Sequence, residues 1–370
     1  MTMMNLPLNV VSFANNDAKI LDVYRGMKDY YFHYMSKKEN KDYGEFDSTL
    51  SLSEKEARMN KHIFAEIERL SGQPRAEGMD IMQWATSPMV KWAVDATRNM
   101  IIEAIIPDSI IKSIGIYTDI ENVDYGQTAQ FDIKPNSLMS TSTAGNAQRT
   151  AWVQKQFETS ITLTPVNHNI TVQASFYKVL AKKESLADFM RKAVLSTERD
   201  MTKDAYSALT GLVGTGTFPS QLKQTGYTQD GLLNLCNTIS AYNQGNKAVI
   251  MGTNRALASV LPNGANGYRI VTPSDKMSIQ LIDNFFGYDV LMLPQVAKGT
   301  SDFALTLNDK ELYIISPSSD KIVKGCIEGT VLSNSNDYYD NANLTSNYTM
   351  NKRWVFSAVT NSKMGLVTLG

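Results

Sequence analysis

Side chains that carry chemistry are scarce in this chain. Its 370 residues include two cysteines, Cys236 and Cys326, and three histidines, His33, His62 and His168. The cysteines are far apart with no partner pattern, so neither a disulfide framework nor a thiolate metal site is indicated, and a reduced intracellular chain is the economical reading. No histidine has a second ligand at helical or hairpin spacing, whereas a metal needs several converging donors. No G-x-S-x-G elbow presents a serine. An excess of one charge is also missing: 36 Lys and Arg face 37 Asp and Glu, a formal net charge of −1. A surface built to grip a polyanion is therefore disfavoured. The opening "MTMMNLPLNVVSFANNDAKI" lacks the basic flank and apolar core of an export signal. The N-x-T patterns at Asn169, Asn343 and Asn347 then read as chance matches. The most apolar stretch, residues 99–116, carries Glu103, Pro107, Asp108 and Lys112, too polar a set for a lipid-facing helix.

Motifs that suggest catalysis or ligand binding fare no better. In "GLVGTGTFPS" the glycines follow a helix, whereas a phosphate cradle runs strand, glycines, helix, and no lysine stands where one is needed. "PNGANG" at 262–267 reads as a loop tip. The carboxylate pairs Asp119 with Glu121 and Asp337 with Asp340 read as solvated turn residues, because burial is needed to push two carboxyl pKa values apart. "NDYYDNANLTSNY" is aromatic but acidic, with no basic residue interleaved for base stacking. The expectation is a chain with no catalytic site, no cofactor, no metal and no membrane span.

What is present is architecture. At 43% hydrophobic and 20% charged residues the chain is globular in composition, with room for two or three compact units. Residues 185–210 read as one long helix. Leu186, Phe189, Met190, Ala193, Val194, Met201, Ala205, Ala208 and Leu209 recur at helical spacing, while Asp188, Arg191, Lys192, Arg199, Asp200, Lys203 and Asp204 fall mostly on the other, wet flank. Ser185 with Asp188 fits a capping box, and Gly211 is the expected stop. Upstream, "DAKILDVYRGMKDYYFHYM" and "SEKEARMNKHIFAEIERLSG" predict two helices, the second opened by Ser53 and Glu56 and closed by Gly72; a third is expected from Pro88 to Ile105, broken by Pro107.

Between residues 114 and 180 the period changes to two. "YTDIENVDYGQTAQFDI" predicts a strand pair, and "QFETSITLTPVNHNITVQASF" alternates at Ile161 and Leu163 and again at Ile170, Val172 and Ala174. The polar "KPNSLMSTSTAGNAQRTAW" between them holds few large apolar side chains and predicts the tip of a long hairpin. After the long helix, "QDGLLNLCNTISAYN", "KAVIMG", "TNRALASVL" and "YDVLMLP" alternate helix and strand as a small α/β unit. "DFALTLNDKELYIISP", "KIVKGCIEGTVL" and the last segment, "NYTMNKRWVFSAVTNSKMGLVTL", predict further strands.

The order of these parts resembles the major capsid protein of tailed bacteriophages, a shell fold shared with herpesvirus capsid floors and encapsulin nanocompartments. The segments carrying the resemblance are "IIPDSIIKSI", "FETSITLTPV" before "ITVQASFYKVL", the helix "LADFMRKAVLSTERDMTKDAYSAL" with Asp200, Asp204 and Ala205, "VIMGTNRALASVL" and "FFGYDVLMLP". It implies an α+β fold with an N-terminal arm (1–72), a lead-in (73–114), an extended β-hairpin loop (115–175), a peripheral domain (176–228) with its spine helix at 185–210, an axial domain (229–332) and return strands (333–370). It further implies a structural protein, not an enzyme, that self-assembles into pentamers and hexamers of an icosahedral head enclosing double-stranded DNA without reading its sequence. Scaffold, portal and decoration proteins would be partners, the virion the location, and the host bacterial cytoplasm the place of assembly. Leu138, Met139, Arg149 and Trp152 at the hairpin tip are the expected inter-subunit contacts. The lysines in the loop, Lys134 and Lys155, pair with no late asparagine by any motif, so no covalent cross-link is expected. Alternatives are an encapsulin-like nanocompartment shell, an intracellular α+β hydrolase with a scattered triad around the histidines, and a carbohydrate- or receptor-binding virion protein.

Overall fold

The computed structural model describes residues 18–39, 44–74, 84, 87–139, 141, 143, 153–156, 158–174, 185–214, 218–260, 284–299, 303–317, 320–335 and 346–369. Four long helices form one layer: α1 (Ala18–Glu39), α2 (Leu52–Ser71), α3 (Pro88–Ile114) and α4 (Leu186–Gly214). Helix α2 starts two residues before the expected Ser53/Glu56 box. Ser51 and Glu54 form the reciprocal cap instead, which brings Leu52 against the core, and Gly72 closes the helix at φ 64° as predicted. Pro107 does not break α3. The buried Ile101, Ile102, Ile105, Ile106, Ile110 and Ile114 lie on both sides of it, and their burial outweighs the ~3 kcal/mol that an internal proline costs. Helices α1 and α2, within the expected N-terminal arm, pack on α3 and α4: Met27, Tyr31, Met35, Ile63 and Ile67 are completely buried in the largest core. Lys28 on α1 pairs with Asp108 of α3, and Lys55 on α2 with Asp29 of α1.

The long helix α4 differs from expectation at both ends and on its second face. It runs past Gly211 to Gly214, with Val213 buried in the extra turn. At its start Ser185 accepts the Asp188 N–H at 3.1 Å, but the rest of the cap comes from Asn60 of α2, whose amide donates to Ser185 Oγ (2.9 Å) and accepts the Ala187 N–H (3.0 Å). The Asp188 carboxylate binds Arg191 and Lys192 instead of completing a box. Of the residues expected on the wet flank Arg191 is buried, and so are the polar Thr197, Glu198 and Thr202, on which no expectation was placed. Glu198 accepts the Tyr31 hydroxyl at 2.6 Å, and Arg191 stacks 3.7 Å from the Tyr34 ring. Asp204 accepts the Trp354 indole N–H at 2.8 Å, and Tyr206 donates to the Pro294 carbonyl at 3.0 Å.

Three sheets attach to this layer. The strands are β1 (Thr118–Val123), β2 (Ala129–Ile133), β3 (Thr159–Leu163), β4 (Val166–Ala174), β5 (Lys223–Thr225), β6 (Val249–Gly252), β7 (Asn284–Phe285), β8 (Tyr288–Met292), β9 (Glu311–Ile315), β10 (Val323–Ser335), β11 (Ser346–Ala358) and β12 (Gly365–Thr368). The first sheet has the order β1-β10-β11-β4, the second β5-β12-β9-β6-β8-β7, and β2 pairs with β3 alone. The expected β1/β2 pair does not form. β1 instead runs parallel to β10, and the β2–β3 hairpin crosses the sheet's outer side, because Val123, Ala129, Phe131, Leu163 and Cys326 bury one another there. On the second sheet α5 (Gln229–Tyr242) packs Leu232, Cys236 and Ile239 over Ile250, Ile314 and Val367. The helix expected after "KAVIMG" shortens to α6 (Asn254–Leu257), and "DFALTL" gives only an isolated bridge, Leu305 to Ala297, instead of a strand.

One irregularity ties the first sheet to α3. The β10–β11 register shifts between Ile327 and Val331, which frees backbone groups of the intervening residues from the ladder. Lys352 of β11, on the core-facing side, donates to the carbonyls of Glu328 (2.8 Å) and Gly329 (3.1 Å), while Glu103 of α3 accepts the Val331 N–H at 2.6 Å. Burial pushes the Glu103 carboxyl above its ordinary value, and pushes the Lys352 ammonium from 10.5 down to about 8 against the pull of Glu103 and Glu328. Below about pH 8 the lysine is charged in folded and unfolded chains alike, and its desolvation cost is fully present. Between there and 10.5 the folded chain sheds the proton first, so this group raises stability as pH rises. Lys352→Met should cost about 3–5 kcal/mol at pH 7, because it strands Glu103 and two carbonyls. It should also flatten the rise in stability above pH 8 that urea titrations of the unaltered chain are expected to show, whereas Glu103→Gln, which keeps the acceptor for Val331, should cost less.

Candidate assembly surface

The structure scatters the residues that could do chemistry. His33 is buried and stacked on Phe46, His62 is exposed on α2, and His168 of β4 lies 3.8 Å from the Trp354 ring and nearly parallel to it. Cys236 and Cys326 are free thiols in separate cores, and burial pushes Cys236 up to about 12. Among the described residues no group of three or more His, Cys, Asp or Glu could hold a metal, and no helix is long and apolar enough to cross a membrane. Asp119 is half exposed beside Lys324 at 3.4 Å. Asp337, Asp340 and the "PNGANG" loop lie outside the described residues. Gly211 and Gly214 sit within α4, inside the helix and not in a separate phosphate-binding loop.

What the fold does build is a braced hairpin with an exposed apolar end. The register runs from Ala129↔Leu163 to Ile133↔Thr159, and the inward side chains of this ladder sit on Val123 and Cys326. Beyond the last pair the chain is held by a buried asparagine at the end of α5. Asn243 Oδ1 accepts from Asn136 Nδ2 (2.7 Å) and from the Lys363 N–H (2.8 Å), and its Nδ2 donates to the Lys363 carbonyl (2.8 Å). Gln244 donates to the Asn136 carbonyl, and Asn361 to that of Lys134. Three segments distant in sequence thus meet at one amide. Sequence reasoning missed Asn243; the available signal was the "NQGN" turn after an amphipathic helix, where Gln244 adopts φ 61° and Gly245 φ 81°.

Past this brace Leu138 and Met139 are each 71% exposed and Val153 is 86% exposed. Arg149 and Trp152 lie outside the described residues, so of the four expected contacts the structure places two, adjacent in the chain and both open to solvent. Further large apolar side chains stand exposed around the second sheet, at Phe286, Met292, Phe303 and Leu305. Such groups on a braced base can bury area against another protein surface and have no evident role in bond-making.

No protein-family model and no curated protein matches the sequence. Solved structures match the fold. The capsid of a native GTA particle aligns with a TM-score of 0.50 over 70% of this chain and 90% of that chain, at 11% identity. The mature capsid of bacteriophage PhiM1 aligns at 0.45 over 68% and 85%, with 9% identity, and a virus-like particle from Pyrococcus furiosus at 0.42 over 71% and 95%, with 8% identity. The first of these likenesses shows the fold: the chain has the α+β architecture of that capsid subunit.

Asn243→Ala should destabilise the chain by about 1–3 kcal/mol, since it leaves buried partners at Lys363 unpaired, and should speed amide hydrogen exchange in β2 and β3. Leu138→Ser with Met139→Ser should leave the thermal midpoint of the isolated chain within about 0.5 kcal/mol of the original in stability terms; a larger loss would place these side chains in the chain's own core.

Proposed function

We propose that this chain is a structural, non-enzymatic shell subunit: a major capsid protein that forms pentamers and hexamers of an icosahedral tailed-phage head around double-stranded DNA. The observation that carries the reading is the fold likeness to the GTA capsid, which spans nine-tenths of that subunit. Three features of this chain support it. The helix α4 is stiffened along its length by partners from several elements. The hairpin is fixed at its base and apolar at its exposed end. The net charge of −1 lets a wall face nucleic acid without clustered cations holding it.

On this reading residues 1–72 are the arm, 73–114 the lead-in, 115–175 the extended loop, 176–228 the peripheral domain, 229–332 the axial domain and 333–370 the return strands. The partners are other copies of the chain, together with scaffold, portal and decoration proteins. Assembly takes place in the bacterial cytoplasm and the product is the virion. Leu138, Met139, Arg149 and Trp152 are the contacts through which the loop lies on its neighbour.

Negative-stain microscopy and sedimentation of the purified chain, co-expressed with its neighbouring viral proteins, test this. Closed shells with nucleic acid inside are expected; shells filled with a protein cargo would point to a nanocompartment, and a persistent monomer would sink the shell reading. Removing residues Leu138 to Arg149 should leave a folded subunit by circular dichroism but no closed shells, because this polar segment holds few large apolar side chains for a core.

A further inference from the structure

Among the described residues three non-glycine positions have left-handed backbone, and two of them are phenylalanines: Phe286 at φ 48° and Phe303 at φ 50°. A bulky side chain in that region is disfavoured, so each position calls for a reason. Phe286 has a local one. With Gly287 (φ 92°) it makes the two-residue turn between β7 and β8, and its ring meets Phe285 edge-on at 5.0 Å. Phe303 closes a loop too, whose ends are joined by the Lys298 N–H to the Ala304 carbonyl (2.8 Å) and by the Ala297–Leu305 bridge, but its side chain is 96% exposed and its ring is left to solvent.

Two residues further on, Leu305 lines a hollow of about 390 Å³ with Ala258, Gln295, Thr253 and, at its rim, Arg255 and Asp309. Apart from Asn254, whose side chain is open to solvent, the polar groups of this hollow are already engaged. The Gln295 amide donates to the Leu307 carbonyl and to Asp309, and accepts the Leu307 N–H. Thr253 caps the Ala256 N–H. Arg255 and Asp309 stand 3.9 Å apart and offset one another's charge. What is left open is mainly apolar surface with no net charge, a site that favours an apolar side chain over a polar or ionic one.

We infer that the hollow receives Phe303 from a second copy of this chain. The chain's own Phe303 does not fill it, being almost wholly exposed. A phenyl ring removes on the order of 150–250 Å² from water when buried, which is the gain that compensates a strained backbone. The near-zero net charge sets no barrier between copies, and the offset rim pair leaves none at the contact. The inference rests on the reading of the chain as a shell subunit.

The native cysteines are both buried and free, so introduced thiols report cleanly. Full-length Phe303→Cys and Ala258→Cys chains are co-expressed, the assembled material is oxidised, and linked peptides are identified by mass. With both variants diluted into an excess of the unaltered chain, which carries assembly, a mixed 303–258 link between chains is expected. Particles that carry no mixed link, or only 303–303 links, would overturn this contact and leave the shell reading standing; failure to assemble at all, in the unaltered chain too, would overturn both. Phe303→Ser should lower the assembled fraction at least tenfold without moving the monomer's thermal midpoint, while Phe303→Leu should retain assembly. Full assembly of Phe303→Ser would count against the proposal.

Discussion

A polar group taken out of water must find a partner, and along α4 that requirement sets the positions of the surrounding elements. A helix of 29 residues is roughly 44 Å long, more than one hydrophobic stripe can align without slippage. Dispersion and burial tolerate a shift of one turn, whereas a carboxylate aimed at one hydroxyl or one indole does not. Glu198 fixes α1 through Tyr31, Asp204 fixes β11 through Trp354, Tyr206 fixes the segment after β8 through Pro294, and Asn60 fixes the helix start to α2. The apolar contacts supply most of the stabilisation; these hydrogen bonds choose among the packings that would supply nearly as much.

The bulge in β10 applies the same logic at a smaller scale. Breaking the ladder between Ile327 and Val331 leaves backbone groups in a dry place, and two charged side chains from other elements take them up. Arg353 then binds Glu328 at 3.1 Å and the Pro165 carbonyl at 3.0 Å on the opposite side of β11, so the bulge and the root of β4 are joined. Lys352 and Arg353 are consecutive in sequence and serve opposite faces of one sheet. The helical layer and the outer hairpin side are thereby held to a common register.

Much of the fold was legible in local sequence because its signals are local. Capping serines, the Gly72 stop and the apolar period announce the helices, alternation marks β3 and β4, and short apolar runs mark β6 and β8. The misses share a cause: something distant outvotes the local preference. Pro107 and Gly211 lie inside helices because neighbours on other elements bury the turns around them. β1 finds a partner some 205 residues away, which no periodicity reports. Asn243 reads as an ordinary turn residue until Asn136 and Lys363 arrive beside it. Of the exposed surface, Leu138 and Met139 stood out as apolar residues in a polar stretch. Phe303 sits among apolar residues that read as a strand, and its exposure depends on the surrounding fold.

The order of strands also carries a consequence for synthesis. β12, at Gly365–Thr368, lies between β5 and β9 in the second sheet, and β11 lies between β10 and β4 in the first. The first sheet cannot close before β11, ending at Ala358, and the second before β12, ending at Thr368, has left the ribosome, long after α4 has emerged. Non-local pairing of this kind delays folding until these late strands have been made. A nascent or truncated chain therefore has neither sheet complete and no second sheet to brace the β2–β3 hairpin through Asn243.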